Sequence, residues 1–377
     1  MKSFKLEEIK EWQLEITTRC NSSCPQCPRN INGGRLNPHM PLVDIEIDWI
    51  KKAFTKEILE RTKQIFFCGS YGDASVHPKF LEILEWFRLQ KKDLWIYVHT
   101  NGARREDGFW EKIAKIMNGY GQIDFGIDGL EDTNHLYRGV KYEHVIKNAR
   151  KFINAGGRAQ WNFIVFKHNE HEIEDVRYLA KTYGFHNCLI RKTGRFFDQK
   201  KLEVIDKWPV KNSVGKTVRY LEMPDNPEFR NDSLSRVNEI NKNYGSMIDY
   251  FKQTKITCDA LLGNKVVITA EGIVMPCNFF EHNLYDARFH ENAMPGSFDP
   301  LGQKVYNNQI IDMYNKYGKE NFKIKNKTMA EIFENNFWKD LVNSWNKKAF
   351  KEGRLFECAF TCGNAFTKTW DQGDNLR

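Results

Sequence analysis

Three cysteines in one short loop constrain this chain more than any other feature. They are Cys20, Cys24 and Cys27. The loop follows an alternation of apolar and polar residues from Trp12 to Ile16, which predicts a strand. Pro25 and Pro28 fix the backbone within the loop and remove two N–H donors. Because iron–sulfur clusters are usually held by four thiolates, three local thiolates would leave one iron open to an outside ligand.

After this loop, short apolar runs alternate with segments whose apolar residues recur at helical spacing. The runs that predict strands are Ile65–Cys68, Leu94–Val98, Ile123–Ile127, Trp161–Phe166 and Cys188–Ile190. Strand–helix alternation with short links predicts a parallel sheet that has its helices outside it. About six βα units are visible, fewer than the eight of a closed barrel. We therefore predict a partial (β/α)6 barrel with its functional groups at the carboxyl ends of the strands.

The C-x3-C-x2-C spacing of the loop resembles the signature of the radical SAM superfamily. The resemblance implies a [4Fe-4S] cluster whose fourth iron is chelated by S-adenosylmethionine. It also implies that one electron, from a donor such as flavodoxin or ferredoxin, cleaves the sulfonium to a 5′-deoxyadenosyl radical. That radical would abstract hydrogen from a substrate. The alternative interpretation of the three thiols is a zinc knuckle with His39 or Cys68 as the fourth ligand.

The glycine-rich turn after the second strand is similar to the Gly-Gly-Glu-Pro stretch of that family. The similarity implies that the backbone at Gly72 and the carboxylate of Asp73 receive the methionyl ammonium group. Asp73 stands where the family has Glu, and Ala74 where it has Pro. Asn101 and the glycine after it resemble a second family turn. Without the resemblance, both would be ordinary turns after strands.

A third similarity begins at Gly126, where Gly-Ile-Asp-Gly resembles the family's Ser-Leu-Asp-Gly strand end. It implies that Asp128 and Arg138 help to bind the cofactor, with the Arg fork on the carboxylate. The alternative for Arg138 is a surface ion pair. Val165 and Phe166 are candidates to line the adenine, although core packing is their commoner role.

Four further cysteines predict a second metal site near the carboxyl terminus: Cys258, Cys277, Cys358 and Cys362. Residues 265–269 and 273–275 form a hairpin signal that would bring the first two cysteines together. The set resembles the SPASM/twitch extensions of radical SAM enzymes, which implies one auxiliary [4Fe-4S] cluster of twitch type. The alternative is a structural zinc site with the same four thiolates. The other two thiols, Cys68 and Cys188, are either catalytic hydrogen-atom donors or inert buried thiols.

These signals divide the chain into a barrel over residues 1–194, a linker over 195–255 and a smaller α+β cluster-binding domain over 256–377. The linker is expected to contain a helix near Ser235–Phe251. The polar, aromatic stretch from Glu281 to about Lys327 predicts a long surface excursion that could act as a lid.

Composition bounds the class of protein. Aliphatic, aromatic and cysteine residues make up 41% of the 377 residues, which is enough for a globular core. No apolar run reaches membrane-spanning length and the start lacks a signal-peptide core, so we expect a cytoplasmic protein. The net charge of +8 is spread over short basic pairs with acidic residues between them, which favours solvation over nucleic-acid binding.

The resemblance implies an oxidoreductase or maturase that oxidatively modifies a peptide or protein. A small-molecule alcohol is the alternative substrate, because no separate peptide-recognition domain is evident. Two further alternatives are an RNA-modifying enzyme and a non-catalytic iron–sulfur protein that transfers electrons. The latter would need a protein side chain as fourth ligand beside Cys20, Cys24 and Cys27.

Overall fold

The computed structural model describes residues 3–105, 108–198, 201–285, 309–364 and 375–376. Its central strands are β1 Glu11–Leu14, β2 Gln64–Phe67, β3 Trp95–Thr100, β4 Gly121–Gly126, β5 Ala159–Val165 and β6 Asn187–Lys192. They run parallel, and each lies beside the next in chain order. This sheet confirms the predicted partial barrel, and its strands lie close to the apolar runs from which they were predicted.

Helices connect the strands and cover the outer face of the sheet. They are α1 Ile47–Ala53, α2 Lys56–Arg61, α3 Phe80–Gln90, α4 Phe109–Met117, α5 Asn134–Arg138, α6 Tyr142–Asn154 and α7 Ile173–Thr182. Between α1 and α2 the helical pattern is interrupted at Thr55, whose side chain accepts a hydrogen bond from the N–H of Ile58 and starts the second helix. Among the described helices, none is both long and apolar enough to cross a bilayer.

The two faces of the sheet differ in polarity. Ile96 and Val98 of β3 are buried against the outer helices, whereas Tyr97 and His99 between them face inward and are partly exposed. The same alternation of burial occurs in β1 and β2. Because successive side chains of a strand point to opposite faces, the inner face of the barrel is a wall that a ligand can reach.

Residues 195–255, predicted as a linker with one helix, contain more structure than expected. Two hairpins come first, formed by β7 Phe197–Asp198 with β8 Glu203–Val204 and by β9 Lys207–Lys211 with β10 Thr217–Glu222. Two helices follow, α8 Asp232–Tyr244 and α9 Met247–Gln253. The single predicted helix is divided at Gly245, which has φ +85°, and Ser246 then caps α9.

The predicted carboxyl-terminal hairpin is present as β11 Lys265–Ile268 and β12 Val274–Met275. Strand β11 also runs parallel to β1, with Trp12 beside Val266 and Leu14 beside Ile268. At the other edge of the sheet, β13 Asn375–Leu376 pairs antiparallel with β6. The hairpin is therefore part of the barrel's own sheet, a pairing that the sequence analysis did not anticipate.

The remaining helices pack around this hairpin. They are α10 Asp259–Leu262, α11 Asn278–Tyr285, α12 Gln309–Tyr317, α13 Met329–Phe333, α14 Phe337–Ser344 and α15 Phe356–Cys362. The predicted surface excursion therefore begins within α11 and includes α12. Its middle, residues 286–308, lies outside the described residues, so the lid stays a prediction.

Trp12 connects the barrel to the carboxyl-terminal helices. Its side chain is completely buried, and its indole N–H donates to Thr62 Oγ1 at 3.1 Å. Its ring meets Phe54 of the barrel edge to face at a centroid distance of 5.3 Å and Phe333 of α13 at 6.4 Å. One side chain thus contributes to the packing of both halves of the chain.

We predict that Trp12→Ala lowers the free energy of unfolding by ~3–5 kcal/mol, because it leaves a cavity between the two halves. Denaturant unfolding followed by circular dichroism measures this loss. As a control, Leu89→Ala should change stability by no more than ~0.5 kcal/mol, since Leu89 is 80% exposed. An equally small effect of Trp12→Ala would contradict the packing role.

Candidate functional site

The amide group of Asn101 joins the cysteine loop to the ends of two strands. Its Nδ2 approaches Cys20 Sγ at 3.7 Å and donates to Asn21 Oδ1 at 3.0 Å. It also donates to Asp73 Oδ2 at 2.7 Å. Asn101 follows β3 and Asp73 lies in the turn after β2, so residues from three separate segments meet here. An N–H aimed at a cysteine sulfur is a contact typical of iron–sulfur sites.

Asp73 is a buried carboxylate that is almost fully occupied by its own surroundings. Its Oδ1 accepts from the N–H of Ser75 at 3.0 Å, from Ser75 Oγ at 2.6 Å and from Thr100 Oγ1 at 2.9 Å. Its Oδ2 accepts from the N–H of Asn101 at 2.8 Å as well as from the Asn101 amide. The structure therefore gives Asp73 a positioning role. Its contact with a ligand ammonium stays a prediction.

Gly72 lies where the glycine-rich turn packs against the strand that carries the cysteine loop. A Cβ atom at this position would lie 2.0 Å from the carbonyl oxygen of Thr17, closer than any real contact. Only glycine allows this approach, so the turn after β2 is held directly beneath the cysteine loop. Contact of the Gly72 backbone with a ligand stays a prediction.

Asp128, which is buried, and Arg138, which is partly exposed, form an ion pair at the ends of β4 and α5. Arg138 Nε donates to Asp128 Oδ2, and the N–H of Ile164 donates to Asp128 Oδ1 at 2.7 Å. Burial alone would lower the pKa of Arg138, but the adjacent carboxylate outweighs it and raises that pKa. A Cβ atom at residue 126 would lie 2.5 Å from Arg138 Nη2. Glycine in place of the family's serine therefore makes room for the guanidinium group.

Other contacts hold the cysteine loop from the opposite side. Ser22 Oγ donates to the carbonyl oxygen of Arg138 and lies 3.3 Å from Cys24 Sγ. Arg195 Nη1 donates to the carbonyl of Gln26 at 3.0 Å, and Trp208 Nε1 donates to the carbonyl of Pro25 at 3.1 Å. The segment predicted as a linker thus helps to fix the position of the cysteine loop through these two hydrogen bonds.

Val165 and Phe166 have no exposed surface in this structure. The Phe166 ring packs against Tyr137 at a centroid distance of 4.6 Å and stacks on His168 at 5.5 Å. Both residues lie at the end of β5, next to the segment whose Ile164 N–H bonds Asp128. Contact with an adenine ring stays a prediction for both of them.

Sequence reasoning missed a polar cluster on the inner wall of the barrel. Asp124 accepts hydrogen bonds from Tyr97 Oη at 2.5 Å, Gln122 Nε2 at 2.9 Å, Gln160 Nε2 at 2.7 Å and Asn162 Nδ2 at 3.2 Å. Although burial alone would raise the pKa of Asp124, its hydrogen bonds lower it. The signal was present as polar residues at alternate positions of β3, β4 and β5, which mark an inward face that is not a dry core.

The two remaining thiols lie on different faces of the sheet. Cys68 follows β2, where burial and the nearby carboxylate of Glu15 raise its pKa, so the group stays a neutral thiol. In β6, the side chains of Asn187 and Arg191 donate hydrogen bonds to Gln160 and Asn162 on the inner wall. Because side chains alternate along a strand, Cys188 points to the outer face. Burial raises the pKa of Cys188 to about 12. The structure therefore places only Cys68 near the inner wall.

The four carboxyl-terminal cysteines border one cavity. It contains about 330 Å³ of empty space, its open mouth included, and its other lining residues include Pro276, Phe280 and Trp345. The cysteines are Cys258, Cys277, Cys358 and Cys362. A hydrogen bond with Cys362 lowers the pKa of Cys258, while burial raises that of Cys277 to about 12. The hairpin and α15 thus bring together residues far apart in the chain.

Within the described ranges, no three Cys, His, Asp or Glu side chains converge closely enough to hold a single metal ion. Cysteines that hold an iron–sulfur cluster each bind a different iron, so they surround a space and do not meet at one point. The four-cysteine cavity has that arrangement. The cysteine loop has sulfur atoms flanked by hydrogen-bond donors, as such a cluster also requires.

Comparison with known proteins shows that part of the chain matches a protein family. Residues 14–180 match the profile of the radical SAM superfamily. The chain is also similar to the tungsten-containing aldehyde ferredoxin oxidoreductase cofactor-modifying protein of Pyrococcus furiosus. The two are 22% identical over 296 residues, which cover 73% of this chain and 72% of that protein.

One solved structure supports the same fold. The structure of native anSMEcpe with bound AdoMet superposes with a TM-score of 0.50 and 16% identity, covering 97% of this chain and 92% of that one. Streptococcus suis SuiB bound to S-adenosylmethionine gives a TM-score of 0.44 and 14% identity, covering 72% of this chain. The chain spans 61% of the length of SuiB.

We predict that Gly126→Ser destabilises the protein by ~1–3 kcal/mol, because the new side chain displaces Arg138 from Asp128. Denaturant unfolding of a double-mutant cycle isolates this effect. In an Arg138→Ala background the serine should cost less than ~0.5 kcal/mol, since the crowded guanidinium is gone. Equal costs in the two backgrounds would show that the glycine serves another purpose.

Proposed function

Because residues 14–180 of this chain form a radical SAM domain, we propose that the protein is an enzyme that cleaves S-adenosylmethionine reductively and abstracts hydrogen from a substrate. The [4Fe-4S] cluster would be held by Cys20, Cys24 and Cys27. S-Adenosylmethionine bound at this cluster supplies the hydrogen-abstracting chemistry once one electron arrives. The observation that carries the proposal is the Asn101 amide, which ties Cys20 to the turns that would hold the cofactor.

The chain's own residues have separable tasks in this proposal. Asn101 and the backbone N–H of Ser22 donate toward Cys20 Sγ and stabilise negative charge on sulfur. Arg138, fixed by Asp128, presents its remaining N–H groups to the methionyl carboxylate. Asp73 positions Asn101, and the backbone at Gly72 would receive the methionyl ammonium.

We propose that the second cysteine set binds an auxiliary [4Fe-4S] cluster of twitch type. The shared cavity supports this assignment, because four cysteines from three distant segments border one space. Such a cluster would accept an electron from the substrate after hydrogen abstraction, which makes the overall reaction an oxidation. The three-part domain division, with the barrel over residues 1–194, stays part of this proposal.

A peptide or protein is the proposed substrate, oxidised in a reaction of the oxidoreductase or maturase type. The open inner wall supports it, because polar groups such as Tyr97 and His99 are partly exposed there. A small molecule is the second candidate, since the Pyrococcus furiosus relative is named as a cofactor-modifying protein. Cys68 is the better of the two proposed hydrogen-atom donors, because Cys188 faces the outer helices.

We predict that anaerobic reconstitution with iron and sulfide, followed by reductant and S-adenosylmethionine, yields 5′-deoxyadenosine. Cys27→Ala should abolish this product, because it removes a ligand of the first cluster. Cys358→Ala should retain it and lose only turnover of the true substrate. Chromatography of the quenched reaction, with iron analysis of each variant, gives both readouts.

The matched control is Cys188→Ala, which removes a half-buried thiol from the outer face and should leave 5′-deoxyadenosine formation within about twofold of wild type. An intact, iron-loaded wild type that forms no 5′-deoxyadenosine would refute the proposed reaction. If Cys358→Ala lost the product together with its iron, the four-cysteine cavity would instead be required for assembly of the first cluster.

A further inference from the structure

A buried carboxyl group in α11 has no hydrogen-bond partner among the described residues. Glu281 has no exposed surface, and neither of its side-chain oxygens contacts a donor among the described residues. A buried acid of this kind is costly for a fold, since desolvation is not repaid by any contact. Its presence therefore calls for a partner that the described part of the chain does not provide.

The neighbours of Glu281 make this position more negative. Glu15, directly after β1, and Glu271, in the turn between β11 and β12, act on it electrostatically. Glu281 in turn acts on the thiol of Cys68 and on Tyr285. Burial first, and these carboxylates second, raise the pKa of Glu281. The group therefore faces the carboxyl ends of β1 and β2, on the same side of the barrel as the cysteine loop.

The other two carboxylates are satisfied by the chain. Glu15 accepts from the N–H of Ser70 at 2.8 Å, from Ser70 Oγ at 3.1 Å and from Gln13 Nε2 at 2.8 Å. Glu271 accepts from Tyr285 Oη and lies 3.7 Å from Lys319 Nζ. Of the three, Glu281 alone has no hydrogen-bond donor at either oxygen among the described residues.

The positively charged side chain that acts electrostatically on Cys68 is Arg195, which already has a hydrogen-bond partner in the chain. Arg195 acts on Cys68 and Cys27, and its Nη1 already donates to the carbonyl of Gln26. A ligand cation would therefore meet two carboxyl groups, one held by three donors and one unpartnered. Charge-assisted hydrogen bonds to such a pair are stronger than neutral ones and are directional.

We propose that Glu281, with Glu15 beside it, binds a cationic nitrogen of the substrate, such as the ammonium group of a lysine side chain or of a small amine. This inference rests on the proposed function, because it names the substrate class that would be presented at the open end of the barrel. Glu281 is thus a specificity residue, which orients the substrate by its charged group while another part of the substrate reacts.

The test uses the reconstituted full-length protein and measures binding, so it does not depend on turnover. The probes are n-pentylamine against 1-pentanol, and acetyl-Gly-Lys-Gly amide against its norleucine counterpart, at constant ionic strength. We expect the cationic member of at least one pair to raise the melting temperature of wild type, while its neutral counterpart does not. In Glu281→Gln the apparent Kd of that cation should rise roughly 30-fold or more.

A shift with the lysine peptide only would identify a peptide as the source of the cation, and a shift with pentylamine only would identify a small amine. No preference for the cation in either pair would overturn the inference, as would an unchanged Kd in Glu281→Gln. If wild type still forms 5′-deoxyadenosine in that case, the proposed function stands without this specificity. If wild type binds the cation but forms no 5′-deoxyadenosine, the proposed function fails and the cation-binding role of Glu281 stands.

A stability comparison separates a binding role from a structural one. Without any ligand, Glu281→Met should raise the melting temperature, because it replaces an unpartnered buried acid by an apolar side chain. Glu172→Gln is the matched control, since Glu172 is buried but accepts from Thr133 Oγ1 and the N–H of Leu130. It should lower the melting temperature. A loss of stability in Glu281→Met would show that Glu281 serves the fold and would overturn the inference.

Discussion

The position of one amide group sets the geometry of the whole amino-terminal site. Asn101 can reach Cys20 only because Asp73 holds both its backbone and its side chain, and Asp73 is itself held by Thr100 and Ser75. These groups follow different strands, so their meeting depends on the register of the parallel sheet. A shift of β3 by a single residue would turn Thr100 to the opposite face and remove its hydrogen bond to Asp73.

The fold requires apolar burial, and a functional site requires polar groups. In the barrel these two requirements are met on opposite faces of the sheet. Its outer face is apolar and fully covered by helices, which provides most of the burial that stabilises the fold. Its inner face is free to carry polar and titratable groups, because stability does not depend on packing there. Asp124 is the extreme case, since His99 and neutral donors from three adjacent strands surround its carboxylate.

Local patterns were sufficient to predict the six parallel strands of the barrel and the carboxyl-terminal hairpin, because each is encoded by neighbouring residues. Contacts between distant residues were not predictable. Three examples are the hydrogen bonds that occupy Asp73, the hydrogen bond from Trp208 to the cysteine loop and the pairing of β11 with β1. No short-range periodicity in the sequence indicates them. Glu281 is the clearest case. Its lack of a hydrogen-bond donor depends on residues that are distant in the sequence, so the residues next to it in the chain give no sign of it.

The parallel pairing of β11 with β1 has a mechanical consequence. The cysteine loop leaves one of these strands, and the chain that reaches Cys277 leaves the other through its hairpin. Both cysteine sets therefore lie next to strands that share one ladder of backbone hydrogen bonds. Strand pairing, and not the length of the intervening chain, therefore governs how far apart the two cysteine sets lie.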